Sequence, residues 1–151
     1  NVKLEMTTLD IVEMIWQTNG EFEEKFATRS LELVSTLPES SILIEADGRH
    51  LWRVLENVYN NAFKYAMEHT RVYTDLELKD DKVYPLNVQG DELTERFVRG
   101  DVSRTTEGSG LGLSIAQSLT KLQGGTFEIL IDGVLFKVRV GFGVKKTDQT
   151  A

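Results

Sequence analysis

The sequence contains no cysteine and only two histidines among its 151 residues. The absence of cysteine excludes disulfide bonds, thiolate metal sites and a cysteine nucleophile. The histidines, His50 and His69, are too few to form a histidine-based zinc site. The sequence also lacks a Gly-x-x-x-x-Gly-Lys-Ser/Thr run, which excludes a Walker-type nucleotide site.

Basic residues and long apolar runs are scarce as well. Lys and Arg number 17 against 24 Asp and Glu, which gives a formal net charge of −7. This balance argues against nucleic acid as a partner, because a protein that binds the phosphate backbone needs a basic face. No apolar stretch reaches the roughly 18 residues that span a bilayer, and the first residues show no signal-peptide pattern. We therefore expect a cytosolic domain that could belong to a larger protein.

Hydrophobic periodicity divides the chain into helices and strands. Apolar side chains at helical spacing, among them Ile15, Trp16 and Phe22, predict a first amphipathic helix over about residues 9–27 that packs on a core. Asp47 is the predicted N-cap of a long helix that reaches Tyr65. Strands are predicted over about residues 31–37, 42–46 and 71–78, followed by a turn at 79–82 and a short return strand. A brief helix at 91–97 and a polar mobile loop at 99–109 come next. The last predicted elements are a helix that ends near residue 122, before Gly124 and Gly125, and a hairpin of strands 126–131 and 134–140.

The order of these elements predicts an α+β fold. One mixed, mostly antiparallel sheet with the helices on one face explains the order best, and this arrangement is a two-layer α/β sandwich. Strands and helices alternate too irregularly for a doubly wound fold. We expect residues 1–29 to form an N-terminal helix and lead-in packed on, or part of, a nucleotide-binding domain over residues 30–151.

A glycine-rich run stands where the last helix begins. Residues 106–116 read TEGSGLGLSIA, with Gly108, Gly110 and Gly112 at alternate positions. Without Cβ atoms, their backbone N–H groups can approach a ligand closely, and the positive end of the following helix favours a polyphosphate. Taken alone the run is weak evidence, because glycine-rich turns before helices are common.

A second polar element lies on the long helix. Asn57 and Asn61 are four residues apart and therefore share one face, and Lys64 and Tyr65 follow a turn later. An amide oxygen can coordinate Mg²⁺, which prefers a few protein oxygens beside substrate phosphates, and Lys64 would offer a point charge. The alternative is an exposed polar helix face. Together the asparagines and the glycine run predict two walls of a nucleotide pocket.

Residues 95–101, ERFVRGD, precede the polar loop. Phe97 would anchor one hinge of the loop in the core, while Arg96 and Arg99 would reach phosphates or be ordinary surface charges. The loop residues Ser103, Arg104, Thr105 and Thr106 offer hydroxyl and guanidinium donors suited to a closing lid.

Three ordered motifs, NVYNNAFKY at 57–65, ERFVRGD at 95–101 and GSGLGL at 108–113, resemble the catalytic and ATP-binding domain of bacterial sensor histidine kinases. That family belongs to the gyrase, Hsp90, histidine kinase and MutL superfamily with the Bergerat (GHKL) fold. The resemblance extends over about residues 30–140 and implies ATP and Mg²⁺ as cofactors.

The resemblance also implies roles by position. Asn61 resembles the Mg²⁺ ligand, Asn57 its companion one turn earlier, and Lys64 and Tyr65 the phosphate-side and ribose-side contacts. Phe97 resembles the F-box aromatic, and Leu111 and Leu113 would also pack the helix. The further residues implied in ATP binding are Arg96, Phe97, Arg99, Ser103, Arg104, Thr105, Thr106, Gly108, Ser109, Gly110, Leu111, Gly112 and Leu113.

One position separates kinases from ATPases in this superfamily. The ATPases carry a glutamate base one turn before the Mg²⁺ asparagine, where this chain has Asn57, which cannot take a proton. We therefore expect phosphoryl transfer to a protein, with Asn57 in the catalytic site. The adjacent Glu56 points about 100° away around the helix; it would assist an approaching acceptor or be a surface carboxylate.

The sequence departs from the family in one motif. The first glycine box, whose aspartate reads adenine, is missing between Lys82 and Glu95. Either the box is lost or residues near 83–86 are absent from the chain, and we expect the second. Adenine recognition therefore stays unassigned.

The resemblance implies partners as well. His50 and His69 are predicted to be surface residues, so the phosphoacceptor would lie on a dimerisation domain of the same kinase, with a response regulator downstream and the full-length protein a homodimer in the bacterial membrane. Two alternatives remain: a serine kinase of the anti-sigma-factor type, and a degenerate nucleotide-binding module without catalysis.

Overall fold

The computed structural model describes residues 3–79, 82–90, 113–132 and 135–144. Within these ranges the chain forms three helices and eight strands. In chain order they are β1 (Met6–Asp10), α1 (Ile11–Ala27), β2 (Glu32–Thr36), β3 (Leu43–Asp47), α2 (Gly48–Tyr65), β4 (Arg71–Asp75), β5 (Glu77–Lys79), β6 (Lys82–Gly90), α3 (Ser114–Leu122), β7 (Thr126–Asp132) and β8 (Leu135–Gly143). The predicted helix at 91–97 and loop at 99–109 lie outside the described residues.

The main sheet has six strands in the order β2-β4-β6-β8-β7, with β5 paired to β6. The β2–β4 pair is parallel and the other pairs are antiparallel. The prediction of a mixed, mostly antiparallel sheet is confirmed, as are the hairpins β5–β6 and β7–β8.

A small second sheet corrects the prediction of a single one. β3 pairs with β1, from Met6 opposite Asp47 to Asp10 opposite Leu43, and not with the main sheet. β1 has no clear signal in the sequence, because the segment MTTLD has almost no apolar alternation. Backbone hydrogen bonds to β3 hold this strand, and they need no particular side chains.

One face of the main sheet is buried beneath the helices. Val72 and Thr74 of β4, and Val138 and Val140 of β8, alternate along their strands and are at most 1% exposed. Apolar side chains of all three helices join the same core cluster. This arrangement is the predicted two-layer α+β sandwich, and no helix among the described residues is long and apolar enough to cross a membrane. The division between residues 1–29 and 30–151 stays a prediction.

The first helix differs from its prediction at one residue. Asp10 caps α1 by accepting hydrogen bonds from the backbone N–H groups of Val12 and Glu13. Ile15 and Phe26 are fully buried, but Trp16 is 51% exposed. The prediction that Trp16 packs in the core is therefore wrong, because the next residue along a helix turns about 100° from Ile15 and leaves the buried face.

Strand β6 is continuous from Lys82 to Gly90. A register shift against β8 lies between Val83 and Leu86, where residues were expected to be absent. This strand joins the β5–β6 turn to the centre of the sheet, and the absence of residues near 83–86 stays a prediction.

The end of α3 is as predicted. The helix stops at Leu122, and Gly124 takes a φ of +86°, a conformation that favours glycine. A Cβ atom at Gly125 would lie 2.5 Å from the carbonyl oxygen of Gly141, so glycine is required there by close packing against β8.

Candidate nucleotide site

Helix α2 begins at a well-anchored aspartate. Asp47 Oδ1 accepts hydrogen bonds from the N–H groups of Arg49 and His50, and Oδ2 accepts one from Glu5 N at 2.7 Å. The Glu5 and His50 N–H groups lower the pKa of the Asp47 carboxyl, because they stabilise its charged form. The predicted N-cap is confirmed, and it fixes where the helix carrying the asparagines starts.

The two asparagines do not lie on an exposed polar face. Asn61 is 4% exposed and Asn57 is half-buried. The Oδ1 atom of Asn57 is itself buried and has no hydrogen-bond partner among the residues that the structure describes. A buried carbonyl oxygen without a donor is costly, and such a group in a native protein often faces a bound ligand or ion. The Asn57 oxygen is therefore a fitting position for a metal or a polar ligand atom.

The neighbouring Asn60 faces elsewhere. Its Oδ1 accepts a hydrogen bond from Lys25 Nζ of α1 at 2.6 Å. Asn60 thus faces α1, whereas Asn61, the next residue along the helix, points about 100° away from it. The amide of Asn60 therefore has a different environment from the buried amide of Asn61.

A buried polar network holds α2 against its neighbours. Tyr59 Oη donates to Asn19 Oδ1 of α1 at 2.6 Å, and Asn19 Nδ2 donates to Ser35 Oγ of β2 at 2.8 Å. Ser35 Oγ is hydrogen-bonded to Thr74 Oγ1 of β4 at 2.5 Å. Tyr59 lies between Asn57 and Asn61 in sequence, so the network fixes the rotation of the helix that carries both. No local sequence pattern indicates this network, because the bonded residues are 16 to 40 positions apart.

The remaining predicted site residues of α2 differ in their exposure to solvent. Lys64 is exposed, and its Nζ lies 5.4 Å from the centroid of the Tyr65 ring. Tyr65 is only 2% exposed, and Glu56 is exposed. Lys64 and Glu56 are thus open to a partner or ligand, whereas the Tyr65 ring lies in the core.

Helix α3 packs against α2. Leu113, directly before α3, is fully buried, in keeping with the packing role expected for it. At the other end of α3, Gln123 Oε1 accepts a hydrogen bond from Asp47 N at 2.8 Å, and Gln123 Nε2 donates to Leu119 O at 2.9 Å. This contact ties the end of α3 to the start of α2. A polar residue directly before the helix-ending glycines was the only sequence signal for it.

The other predicted site residues lie outside the described residues. They are Arg96, Phe97, Arg99, Ser103, Arg104, Thr105, Thr106, Gly108, Ser109, Gly110, Leu111 and Gly112.

Comparison with known proteins identifies the family. Residues 46–147 match the family of histidine kinase-, DNA gyrase B-, and HSP90-like ATPases. The probable sensor protein PcoS of Escherichia coli is 33% identical over 137 residues, covering 80% of this chain and 29% of PcoS. The chain thus spans less than a third of that relative's length.

Solved structures share the fold. The catalytic domain of histidine kinase ThkA superimposes with a TM-score of 0.75 at 22% identity, covering 93% of this chain and 96% of that one. Full-length ShkA in complex with AMPPNP has a TM-score of 0.74 at 21% identity, covering 97% of this chain and 32% of ShkA. The chain therefore belongs to the histidine kinase-, DNA gyrase B-, and HSP90-like ATPase family, as an ATP-binding catalytic domain of the two-component sensor histidine kinase type.

Proposed function

We propose that this domain binds Mg²⁺-ATP and transfers its γ-phosphoryl group to a histidine on a separate dimerisation domain of the same kinase. The observation that carries the proposal is the buried Oδ1 of Asn57, which has no hydrogen-bond partner within the described ranges and lies one helical turn before the buried Asn61. A family whose members bind ATP and a structural relative crystallised with AMPPNP support the nucleotide as ligand.

The donor set suits magnesium. Mg²⁺ is bound by few protein oxygens together with phosphates, and neutral amide oxygens add no charge that would repel a triphosphate. Asn61 would be the metal ligand and Asn57 its companion. When bound, the ion neutralises charge that develops on the transferred phosphoryl group.

The absence of a base on this face favours transfer over hydrolysis. Asn57 stands at the position of a general base and cannot accept a proton, while Glu56 is exposed on another side of α2. Phosphoryl transfer needs mainly positioning and charge neutralisation, which two amides and the Lys64 ammonium supply. Glu56 is available to an acceptor that approaches from solvent.

The remaining parts follow from the same assignment. The arginines, hydroxyls and glycines of residues 96–112 would close over the triphosphate as a lid, and residues 1–29 would pack on the ATP-binding domain of residues 30–151. The whole protein would be a membrane-bound homodimer that signals to a response regulator, with this domain on the cytoplasmic side.

Asn61→Ala tests the metal assignment. We expect the variant to lose Mg²⁺-dependent ATP binding while circular dichroism still shows a folded domain, because Asn61 acts by coordination. ATP affinity is measured by calorimetry with Mg²⁺ and with EDTA. Asn60→Ala is the matched control, since it removes an adjacent amide that faces Lys25 and should keep the metal dependence. An unchanged affinity in Asn61→Ala would refute the assignment.

A second experiment tests the reaction. The domain is mixed with a separately produced sensor-kinase dimerisation domain and γ-labelled ATP, and the labelled protein is treated with acid and alkali. Acid-labile, alkali-stable label on the partner is the expected result for phosphohistidine. Acid-stable phosphoserine would favour the serine-kinase alternative, and nucleotide binding without transfer would favour a binding module.

A further inference from the structure

A groove on the surface lies between α1 and β2, at one edge of the main sheet. β2 is the terminal strand of the sheet and pairs only with β4, so its other backbone edge has no strand partner among the described residues. The indole of Trp16 is 51% exposed and lines two neighbouring cavities of about 270 Å³ and about 400 Å³. We call this feature the Trp16 groove; it lies on the main sheet's β2 edge.

The walls of the Trp16 groove are apolar and acidic. Apolar side chains come from Val12, Leu33, Leu37 and Pro38 as well as Trp16, while the carboxylates are Asp10, Glu13, Glu23 and Glu39. Among the lining residues that belong to the described part of the chain, none is Lys, Arg or His. Because Asp10 is engaged as the N-cap of α1, three carboxylates remain available to a ligand.

The uncharged polar side chains that line the smaller cavity already have hydrogen-bond partners within the protein. Asn19 and Ser35 line the smaller cavity but are hydrogen-bonded to each other and to Tyr59 and Thr74. The groups left for recognition are the indole, the carboxylates, Ser41 and the free backbone edge of β2. An extended peptide that adds to a sheet edge gains main-chain hydrogen bonds there, and its alternate side chains face the groove.

We propose that the Trp16 groove docks an extended basic segment of a partner protein, which adds to the β2 edge and places an Arg or Lys side chain over the Trp16 indole. A cation over an indole face is attracted by the ring, and carboxylates beside it strengthen the attraction. The charge of the walls disfavours other occupants. A second copy of this chain would bring its own carboxylates against these, and nucleic acid or an anionic membrane would be repelled.

The probe for the test is the hexapeptide Arg-Val-Arg-Val-Arg-Val with a fluorescent label, and the matched probe is Glu-Val-Glu-Val-Glu-Val. Binding to the 151-residue chain is followed by fluorescence anisotropy, and its location by NMR shifts of the backbone amides. We expect the basic peptide to bind at least about tenfold more tightly than the acidic one and to shift the amides of β2 and the Trp16 indole. Binding should weaken strongly at about 1 M salt, where the Debye length is ~3 Å.

Variants locate the contact. Trp16→Ala and Glu23→Lys should each lower the affinity for the basic peptide by about tenfold, because each removes one group that would contact the peptide from an exposed position. Glu21→Lys is the matched control, since Glu21 is exposed on α1 but lines neither cavity. ATP affinity should stay unchanged in all three variants, which separates this proposal from the proposed function.

Four results would overturn the proposal. If Glu21→Lys lowers the affinity for the basic peptide as much as Glu23→Lys does, the net charge of the chain alone attracts the peptide. Shifts that map away from β2 and Trp16, or no binding, would mean that the groove is not a docking site for basic strands. Concentration-dependent dimerisation that Trp16→Ala abolishes, measured by sedimentation, would assign the groove to a second copy.

Discussion

Replacing Tyr59 by phenylalanine tests the network that orients α2. The Tyr59 ring is 1% exposed and lies 5.3 Å from the Phe22 ring centroid and 6.3 Å from that of Phe26. Phenylalanine keeps this ring packing and removes only the hydroxyl. What is lost is the 2.6 Å hydrogen bond to Asn19 Oδ1, whose acceptor is left buried without a donor. Removing one partner of a buried pair costs about 1–3 kcal/mol, so we expect the free energy of unfolding at neutral pH to fall by about that amount.

The same substitution changes the pH dependence of stability. Burial raises the pKa of Tyr59 in the folded state above its ordinary value of about 10, because the phenolate would lose its hydration. The stabilisation from this shift is fully present below the unfolded pKa and is lost as pH rises through the folded pKa. Above about pH 10 the group therefore lowers the free energy of unfolding of the wild type by up to about 1.4 kcal/mol per pH unit, and Tyr59→Phe lacks this contribution.

The measurement is urea unfolding followed by circular dichroism at pH 7 and above pH 10. Tyr73→Phe, at a half-exposed position of β4, controls for the loss of any tyrosine hydroxyl. The difference between Tyr59→Phe and wild type should shrink on the alkaline side. A neutral-pH difference no larger than that of Tyr73→Phe would refute the network's role, and a difference that is constant with pH would refute the shifted pKa.

Three further substitutions follow from the contacts around α2 and α3. Gln123→Ala should lower the free energy of unfolding by about 1–3 kcal/mol in urea titrations, because Asp47 N loses its acceptor in a buried site. The control Gln117→Ala, at a half-exposed position of α3, should lower the free energy of unfolding much less. Gly125→Ala should lower the melting temperature in calorimetry, since its Cβ would meet Gly141 O at 2.5 Å, and a melting temperature equal to wild type would contradict the geometry. The folded-state pKa of Asp47 is depressed, so its stabilisation is present above the unfolded pKa of about 3.9 and is lost as pH falls through the folded value. In Asp47→Asn the free energy of unfolding should therefore fall less steeply as the pH is lowered below about 4. A fall as steep as that of the wild type would exclude the Asp47 carboxylate as its cause.

The sequence predicted the elements whose signals are local. The amphipathic pattern of α2, the Asp47 cap and the glycines that end α3 all operate within a few residues, and the structure confirms each of them. The same is true of the β7–β8 hairpin, whose strands are close neighbours in the chain. Sequence motifs were also sufficient for the family, because the asparagine pair, the ERFVRGD run and the glycine run occur in a fixed order.

Only the tertiary structure decided features that depend on distant contacts. The pairing of β1 with β3 joins residues up to 41 positions apart by backbone hydrogen bonds, which no side-chain pattern announces. The exposure of Trp16 depends on which face of α1 packs against the core, and the Asp47–Gln123 contact spans 76 positions. The sequence by itself determined that Asn57 and Asn61 share a helix face. That Asn61 and the Asn57 Oδ1 atom are buried, the latter without a donor among the residues that the structure describes, was decided by how α2 packs against the rest of the fold, because burial is a property of the assembled core.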